Sequence, residues 1–172
     1  GVRILRAGHT ELSGMKPYET LREALATTVT GLRGEHLAEV VEPVWLQQAA
    51  EVLPELERLV HGVEPSRPLR PEEEPTRMSE ALARVILAQG GLGPTLIVLE
   101  DIHWCDDDSM QVLSQLGSRL ARSGVLLCLT YRRFEAELSD SVWYGISRLE
   151  ALPSGSRLVV GPLSNAEVRQ LI

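Results

Sequence analysis

The chain has 172 residues, of which 44% are hydrophobic and 24% charged, a composition that excludes a fibrous or largely disordered protein. Its formal net charge of −7 argues against a broad electrostatic contact with nucleic acid or with an anionic membrane surface. No apolar run approaches the roughly 18 to 20 residues that a membrane-spanning helix needs. We therefore expect one globular domain, or most of a larger one, with no direct nucleic acid contact and no membrane contact.

The first third of the chain predicts one strand followed by helices. Residues 2–7 are typical of a short strand. A helical pattern with one apolar face begins at Pro17, where proline suits the first turn of a helix. Two shorter helical patterns follow it, with Pro43 and Pro54 as interruptions.

The centre of the chain predicts a loop, a helix and a buried strand. Residues 60–75 carry four prolines and three consecutive glutamates, which is typical of a solvated surface loop within one domain. Apolar residues from Met78 to Gln89 then recur at helical spacing. Residues 95–99 form a nearly unbroken apolar run, which predicts a central parallel strand covered on both faces.

The last third continues the alternation of helix and strand. Asp106 is predicted to cap a helix that stops at Gly124, and residues 125–129 predict a second buried strand. A short helix at 142–149 leads to a last strand at 157–160.

A further helical region is predicted to start at residues 164–172. Ser164 and Glu167 have the spacing of a capping box at its beginning. The repeated order of strands and helices predicts an α/β fold with a layered parallel sheet.

Two acids, Glu100 and Asp101, follow the central predicted strand directly. Ligands of open α/β sheets bind at the carboxyl ends of the strands. Adjacent carboxylates there repel each other unless a cation or a hydrogen-bond donor lies nearby, and magnesium with nucleotide phosphates is a common solution. The alternative is an acidic loop that simply ends a strand, and spacing alone favours neither.

Residues 99–106, Leu-Glu-Asp-Ile-His-Trp-Cys-Asp, resemble the Walker B segment of AAA-like STAND ATPases, a group of the P-loop superfamily. That segment is commonly written [DE]-D-[LI]-H-W-[AC]-D. Four further stretches resemble the family and occur in its order, at 17–25, 52–56, 126–132 and 158–164. Together the five stretches are spread over most of the chain, from residue 17 to residue 164.

The resemblance implies a site and its cofactors, ATP and Mg2+. Glu100 and Asp101 correspond to the Walker B pair, which holds magnesium and acts on the attacking water, with the division of labour between the two acids left open. Arg132 corresponds to a sensor of the γ-phosphate, and Thr130 is a second candidate. Many P-loop ATPases place Asp before Glu, so the reversed order here implies slow hydrolysis.

Several neighbouring residues have simpler interpretations. An ion pair at the surface is the alternative for Arg132. His103 and Trp104 are expected to pack the loop after the strand. The acids at 106–108 are expected to cap a helix and to complement its dipole, and a metal site is the less favoured alternative.

The chain contains one lysine, Lys16, in a Gly-Met-Lys-Pro context that lacks the Gly-x-x-x-x-Gly-Lys-[Ser/Thr] spacing of a phosphate-binding loop. Since the first residue is Gly1, we expect residues 1–172 to be a partial AAA-like ATPase domain. The expected fold is a three-layer P-loop NTPase (ASCE/AAA-like) parallel sheet, incomplete, lacking the first strand and the P-loop. The resemblance implies that this strand would lie between 125–129 and 157–160, so a slot with exposed apolar side chains is expected there.

The resemblance implies an ATP-dependent conformational switch within a larger cytoplasmic regulator, such as a LuxR-type transcription regulator or a multidomain adenylate or guanylate cyclase. Cys105 and Cys128 lie in different predicted elements, which favours reduced thiols and a cytoplasmic location. The expected partners of this regulator are ATP, covalently attached sensor and output domains, and a second copy of the same protein on activation. ATPase activity is expected of the parent protein, and this stretch alone is expected to be inactive.

A nucleotide-free, degenerate domain that serves as a protein-interaction scaffold is the alternative. A phosphoacceptor receiver domain fits poorly, because no lysine follows the last predicted strand.

Overall fold

The computed structural model describes residues 1–8, 16–26, 28–29, 31–61, 74–132 and 139–170. The strands are β1 (Arg3–Gly8), β2 (Thr95–Glu100) and β3 (Val125–Leu129). The α-helices are α1 (Glu19–Ala26), α2 (Gly31–Val40), α3 (Pro43–Ala50), α4 (Glu74–Ala88), α5 (Asp107–Leu120), α6 (Asp140–Glu150) and α7 (Asn165–Gln170). In these ranges, no helix combines the length and the apolar character needed to span a membrane.

The three strands form one parallel sheet in the order β1-β2-β3. Thr95 lies opposite Arg3 on one side and opposite Val125 on the other, so all three strands start level. The chain crosses from each strand to the next through helices, as parallel neighbours require. The predicted α/β class, the parallel direction and the central position of residues 95–99 are confirmed.

The two faces of the sheet differ in burial. Leu5, Ile97 and Leu99 are buried beneath α1, α4 and α5. On the opposite face Ile4 and Leu126 are 63% and 66% exposed. The prediction that 95–99 is covered on both faces was therefore wrong, since buried residues alternate with half-buried ones along β2.

The helices lie close to the predicted patterns, but α1 begins at Glu19 and not at Pro17, and α3 is an additional helix. Pro43 begins α3 instead of only interrupting the chain, because a proline in the first turn of a helix has no intrahelical hydrogen bond to lose. The next predicted helix is a 3-10 helix at Pro54–Leu59. Most of the predicted 60–75 loop lies outside the described residues, and α4 already begins at Glu74 within it.

The last predicted strand, 157–160, is not a strand in this structure. Residues 157–160 have no regular secondary structure, and Leu158 is 87% exposed. A strand is stable only when its backbone groups pair with a neighbour, and no described strand lies beside this segment. The prediction used apolar character alone, which does not supply a partner.

Asp106 joins the beginning of α5 to the segment before α1. Its Oδ1 atom accepts hydrogen bonds from the backbone N–H groups of Ser109, at 2.8 Å, and Tyr18, at 3.0 Å, and its Oδ2 accepts from the Ser109 hydroxyl. Tyr18 has a φ of 60°, a conformation that an aromatic residue rarely adopts without support. The predicted helix cap at Asp106 is confirmed, and it also supports this turn.

Replacing Asp106 by Ala is expected to lower the free energy of unfolding by about 2 kcal/mol, because two backbone donors lose their acceptor and one cap is lost. Urea denaturation followed by circular dichroism measures the change. The control is Asp108→Ala in the same helical turn, for which we expect a change below about 1 kcal/mol. Equal losses in the two variants would contradict the bridging role of Asp106.

Candidate functional site at the carboxyl edge of the sheet

The carboxyl ends of all three strands meet at one edge. Gly8 lies opposite Glu100, and Leu99 lies opposite Leu129, so the strands end within one residue of each other. This register brings the residues that follow β2 close to those that follow β3. The four residues singled out from the sequence, Glu100, Asp101, Thr130 and Arg132, therefore share this edge.

Glu100 is held by Arg6 of the neighbouring strand. The Nε and Nη2 atoms of Arg6 donate to the two carboxylate oxygens of Glu100, at 2.7 and 2.9 Å. This paired contact lowers the pKa of Glu100 below its ordinary value and raises the pKa of Arg6. Both acid and base are consequently charged over the physiological pH range.

Asp101 has a left-handed backbone, with φ 54° and ψ 45°. Asp is one of the few residues other than Gly that adopt this conformation, because its short polar side chain tolerates it. The Asp101 N–H donates to the Thr130 hydroxyl at 3.1 Å, and the next N–H, of Ile102, donates to the Thr130 carbonyl at 2.9 Å. Thr130 thus supports the turn that directs the chain after β2.

The carboxylate of Asp101 has two basic neighbours. Its Oδ1 atom lies 3.8 Å from Nε of Arg132 and 3.9 Å from Nδ1 of His103. Arg132 is largely exposed, whereas the His103 ring is buried. The ion pair expected as the alternative role of Arg132 is present, and it forms with one of the two acids themselves.

The two acids carry oxygen donors of the kind that bind magnesium. Carboxylate oxygens are ligands that magnesium prefers, and two of them suffice when phosphate oxygens and water complete the coordination. Among the described residues, no group of three or more His, Cys, Asp or Glu side chains could hold an ion without such help. Glu100 and Asp101 are the residues here that could supply carboxylate oxygens to magnesium arriving with phosphate groups.

The remaining candidates are structural. His103 is buried, and its ring lies 5.2 Å from the Trp104 ring in a tilted arrangement, as the packing interpretation predicted. Asp106 caps α5, and burial together with the neighbouring acids raises the pKa of Asp108. The interpretation of 106–108 as helix-capping residues agrees with these contacts.

An apolar groove runs beside β3, on the side away from β2. Its volume is about 330 Å³, and its lining includes Leu126, Leu129, Ile146, Leu149 and Leu158. No described strand pairs with β3 on this side. The groove borders residues 125–129, one side of the expected slot, but residues 157–160, the expected other side, form no strand.

The sequence was compared with known proteins. The profile of the AAA ATPase domain family matches residues 2–129, which are 128 of the 172 residues. The chain belongs to this family. AAA ATPase domains bind ATP and magnesium, and the open parallel sheet with flanking helices agrees with an incomplete P-loop NTPase fold.

An uncharacterized protein of Rhizobium meliloti (strain 1021) is 33% identical over 115 residues, which cover 64% of this chain and 10% of that protein. The matched part of the chain thus spans about a tenth of the length of that relative. No solved structure matches the chain.

The match to the AAA ATPase domain covers Glu100 and Asp101 but ends before Thr130 and Arg132.

Arg6 also lies within the match, and sequence reasoning missed it. The only available signal was its position two residues before the end of β1, where alternation places it on the same face as a residue ending β2. That signal can be used only when the register of β1 on β2 is known, and the register cannot be read from the sequence.

The Thr130 hydroxyl can be tested separately from ligand binding. Replacing Thr130 by Val removes the acceptor of the Asp101 N–H, and we expect the free energy of unfolding to fall by about 1 kcal/mol. The amide proton of Asp101 should exchange faster with solvent in the same variant, as measured by hydrogen exchange and NMR. Thr130→Ser keeps the hydroxyl and should resemble the natural chain; unchanged exchange in Thr130→Val would contradict the supporting role.

Proposed function

We propose that the chain is the acid-bearing part of an ATP-dependent regulatory switch. The observation that carries the proposal is the arrangement of Glu100 and Asp101 at the carboxyl edge, each beside an arginine of an adjacent segment. Arginines next to acids at a sheet edge suit a ligand that carries both phosphate groups and a metal ion.

The proposed division of roles follows from the contacts. Glu100 and Asp101 are proposed to hold magnesium. The bound ion would stabilise the negative charge that develops on the phosphate oxygens. Arg132 is proposed to contact the terminal phosphate, because its side chain is largely exposed and lies at the same edge as Asp101. Thr130 supports Asp101 through its hydroxyl, which is already used as an acceptor.

The output of the switch is proposed to be regulatory. An arginine side chain that leaves a carboxylate to bind a phosphate changes its position. Such a movement can be passed to attached domains as a shift between two states. Resemblance to STAND ATPases supports a sensor domain and an output domain on the same polypeptide, in a cytoplasmic regulator. The length of the Rhizobium meliloti relative also supports a large parent protein.

We propose further that residues 1–172 are one part of an AAA ATPase domain whose sheet contains another strand. Thr130 donates to Leu99, so by the alternation of a parallel ladder the backbone groups of Leu127 and Leu129 face the groove. A strand in the groove would pair with them and would cover Leu126 and Leu158. An upstream segment that also carries the phosphate-binding loop is the proposed occupant.

A scaffold without nucleotide is the second candidate. Two observations favour it: the exposed apolar side chains on the open face of the sheet, and the close pairing of Glu100 with Arg6. Large exposed apolar patches often mark protein contacts.

Binding of magnesium and ATP to the longer parent polypeptide distinguishes the two candidates. We expect Asp101→Ala and Arg132→Ala each to weaken the binding of magnesium-ATP about 10- to 100-fold, because a charge-assisted contact is lost. Calorimetric titration measures the affinity, and Arg148→Ala, on α6 and beside Tyr144, is a control of equal charge change to Arg132→Ala. Unchanged affinity in both site variants would favour the scaffold.

The proposed additional strand is tested by Leu126→Asn. In the 172-residue chain the change is expected to alter the free energy of unfolding by less than about 0.5 kcal/mol, since Leu126 is largely exposed. In the longer parent polypeptide the same change should cost about 2 kcal/mol, because the side chain would be covered. Leu116→Asn, at a fully buried position of α5, should destabilise both forms. A small, equal effect of Leu126→Asn in both would count against the strand.

A further inference from the structure

Tyr131 joins the end of β3 to the end of α6. Its hydroxyl donates to Oε1 of Glu150, the last residue of α6, at 2.7 Å. Its two neighbours in the chain approach Asp101 instead: the Thr130 hydroxyl accepts from the Asp101 N–H, and Nε of Arg132 lies 3.8 Å from the Asp101 carboxylate. Tyr131 therefore connects the residues of the candidate site with a helix outside that site.

Glu150 has a second partner beyond a tight turn. Its Oε2 atom lies 3.6 Å from Nη1 of Arg157. The turn is closed by the N–H of Gly155, which donates to the carbonyl of Leu152 at 2.8 Å. A Cβ atom at Gly155 would lie 2.5 Å from the carbonyl oxygen of Leu149, so this position requires glycine. The local turn thus returns Arg157 to the end of α6.

The two contacts of Glu150 differ in strength. The hydrogen bond from Tyr131 is short and has a charged acceptor, which makes it the stronger kind. The ion pair with Arg157 is longer, and the side chains of Glu150 and Arg157 are 30% and 34% exposed, so the pair contributes little by itself. Tyr131 therefore fixes the Glu150 carboxylate, and Arg157 is held only while that carboxylate stays in place.

Arg157 is the first residue of the connecting segment, residues 157–163, which leads from the turn after α6 towards α7. Residues 158–160 of this segment are largely exposed and have no regular secondary structure. The Glu150–Arg157 pair therefore sets where the connecting segment leaves the domain.

We propose that Tyr131, Glu150 and Arg157 form a relay between the carboxyl edge of the sheet and the connecting segment. Tyr131 is a positioning residue, because one hydrogen bond fixes both the chain next to Arg132 and the carboxylate that holds Arg157. The inference rests on the proposed function, in which Arg132 moves to bind a phosphate. Since adjacent residues share a rigid peptide unit, that movement displaces Tyr131, loosens Glu150 and frees Arg157. The relay adds a route by which the site controls the segment before α7.

Trypsin cleavage after Arg157 measures the release, because the protease must take the Arg157 side chain into its own pocket and hence away from Glu150. Mass spectrometry follows this cleavage in the 172-residue chain, relative to cleavage after Arg122, which is exposed. In Tyr131→Phe, which lacks only the hydroxyl, the relative rate is expected to rise about threefold. Glu150→Gln should show a similar rise, because the charge that holds Arg157 is lost.

Tyr144→Phe is the matched control. It removes a hydroxyl from another tyrosine, one that is exposed on α6, and it should be cleaved like the natural chain. Circular dichroism reports whether each variant is folded. Glu150→Gln carries the test alone if Tyr131→Phe unfolds.

The response to ligand is measured in the longer parent polypeptide by hydrogen exchange of the amides at 158–160. Saturating magnesium-ATP is expected to raise their exchange rate about threefold in the natural protein and to have no such effect in Tyr131→Phe. Calorimetry measures the binding of magnesium-ATP separately, so that an absent response can be told from absent binding.

The outcomes separate the two proposals. Unchanged cleavage in both Tyr131→Phe and Glu150→Gln, or an equal rise in Tyr144→Phe, would overturn the relay. Bound magnesium-ATP without a change at 158–160 would also overturn it and leave the proposed function standing. Absence of binding would overturn the proposed function, and the cleavage rates of the 172-residue chain would still decide whether Tyr131 controls Arg157.

Discussion

The parallel pairing of β2 with both neighbours is the constraint on which the site depends. Because the three strands start and end level, the residues that follow β2 and β3 meet at one edge. A shift of one residue in either pairing would turn Arg6 or Thr130 away from the acids, since side chains alternate between faces. Backbone hydrogen bonds thus fix the positions of the charged residues at the edge. The exposed ion pairs contribute little to the stability of this edge.

A second link secures the segments around that edge. The left-handed turn at Asp101 leads through a short 3-10 helix, Ile102–Trp104, to Asp106, which caps α5 and accepts a hydrogen bond from Tyr18. Six residues after β2 therefore connect the acid pair, a buried histidine and the beginnings of two helices. Changes at the edge have a short, packed route to α1, which packs against β1 and β2, and to α5, which packs against β3.

The fold was largely predictable because its signals are local. The apolar run at 95–99, the cap at Asp106 and the helical spacing from Met78 each specify one element without reference to the others. Failures occurred where a partner decides the outcome. Residues 157–160 have strand-like composition but no neighbouring strand, and β2 has an apolar sequence but only one fully buried face.

The residues of the candidate site were also predictable only where the signal is local or where a family resemblance supplied it. Glu100 and Asp101 were found because they are adjacent and follow a strand, and Arg132 and Thr130 because a family resemblance named them. Arg6 is separated from Glu100 by 94 positions, and only the register of β1 on β2 brings them together. No pattern within the sequence encodes that distance.

The apolar row on the open face has a consequence for the order of assembly. Ile4, Leu96 and Leu126 lie directly opposite one another, one from each strand, although they are far apart in the chain. Such a row does not exist until both pairings have formed in the correct register. Any surface that recognised this row could therefore dock only on a completed sheet.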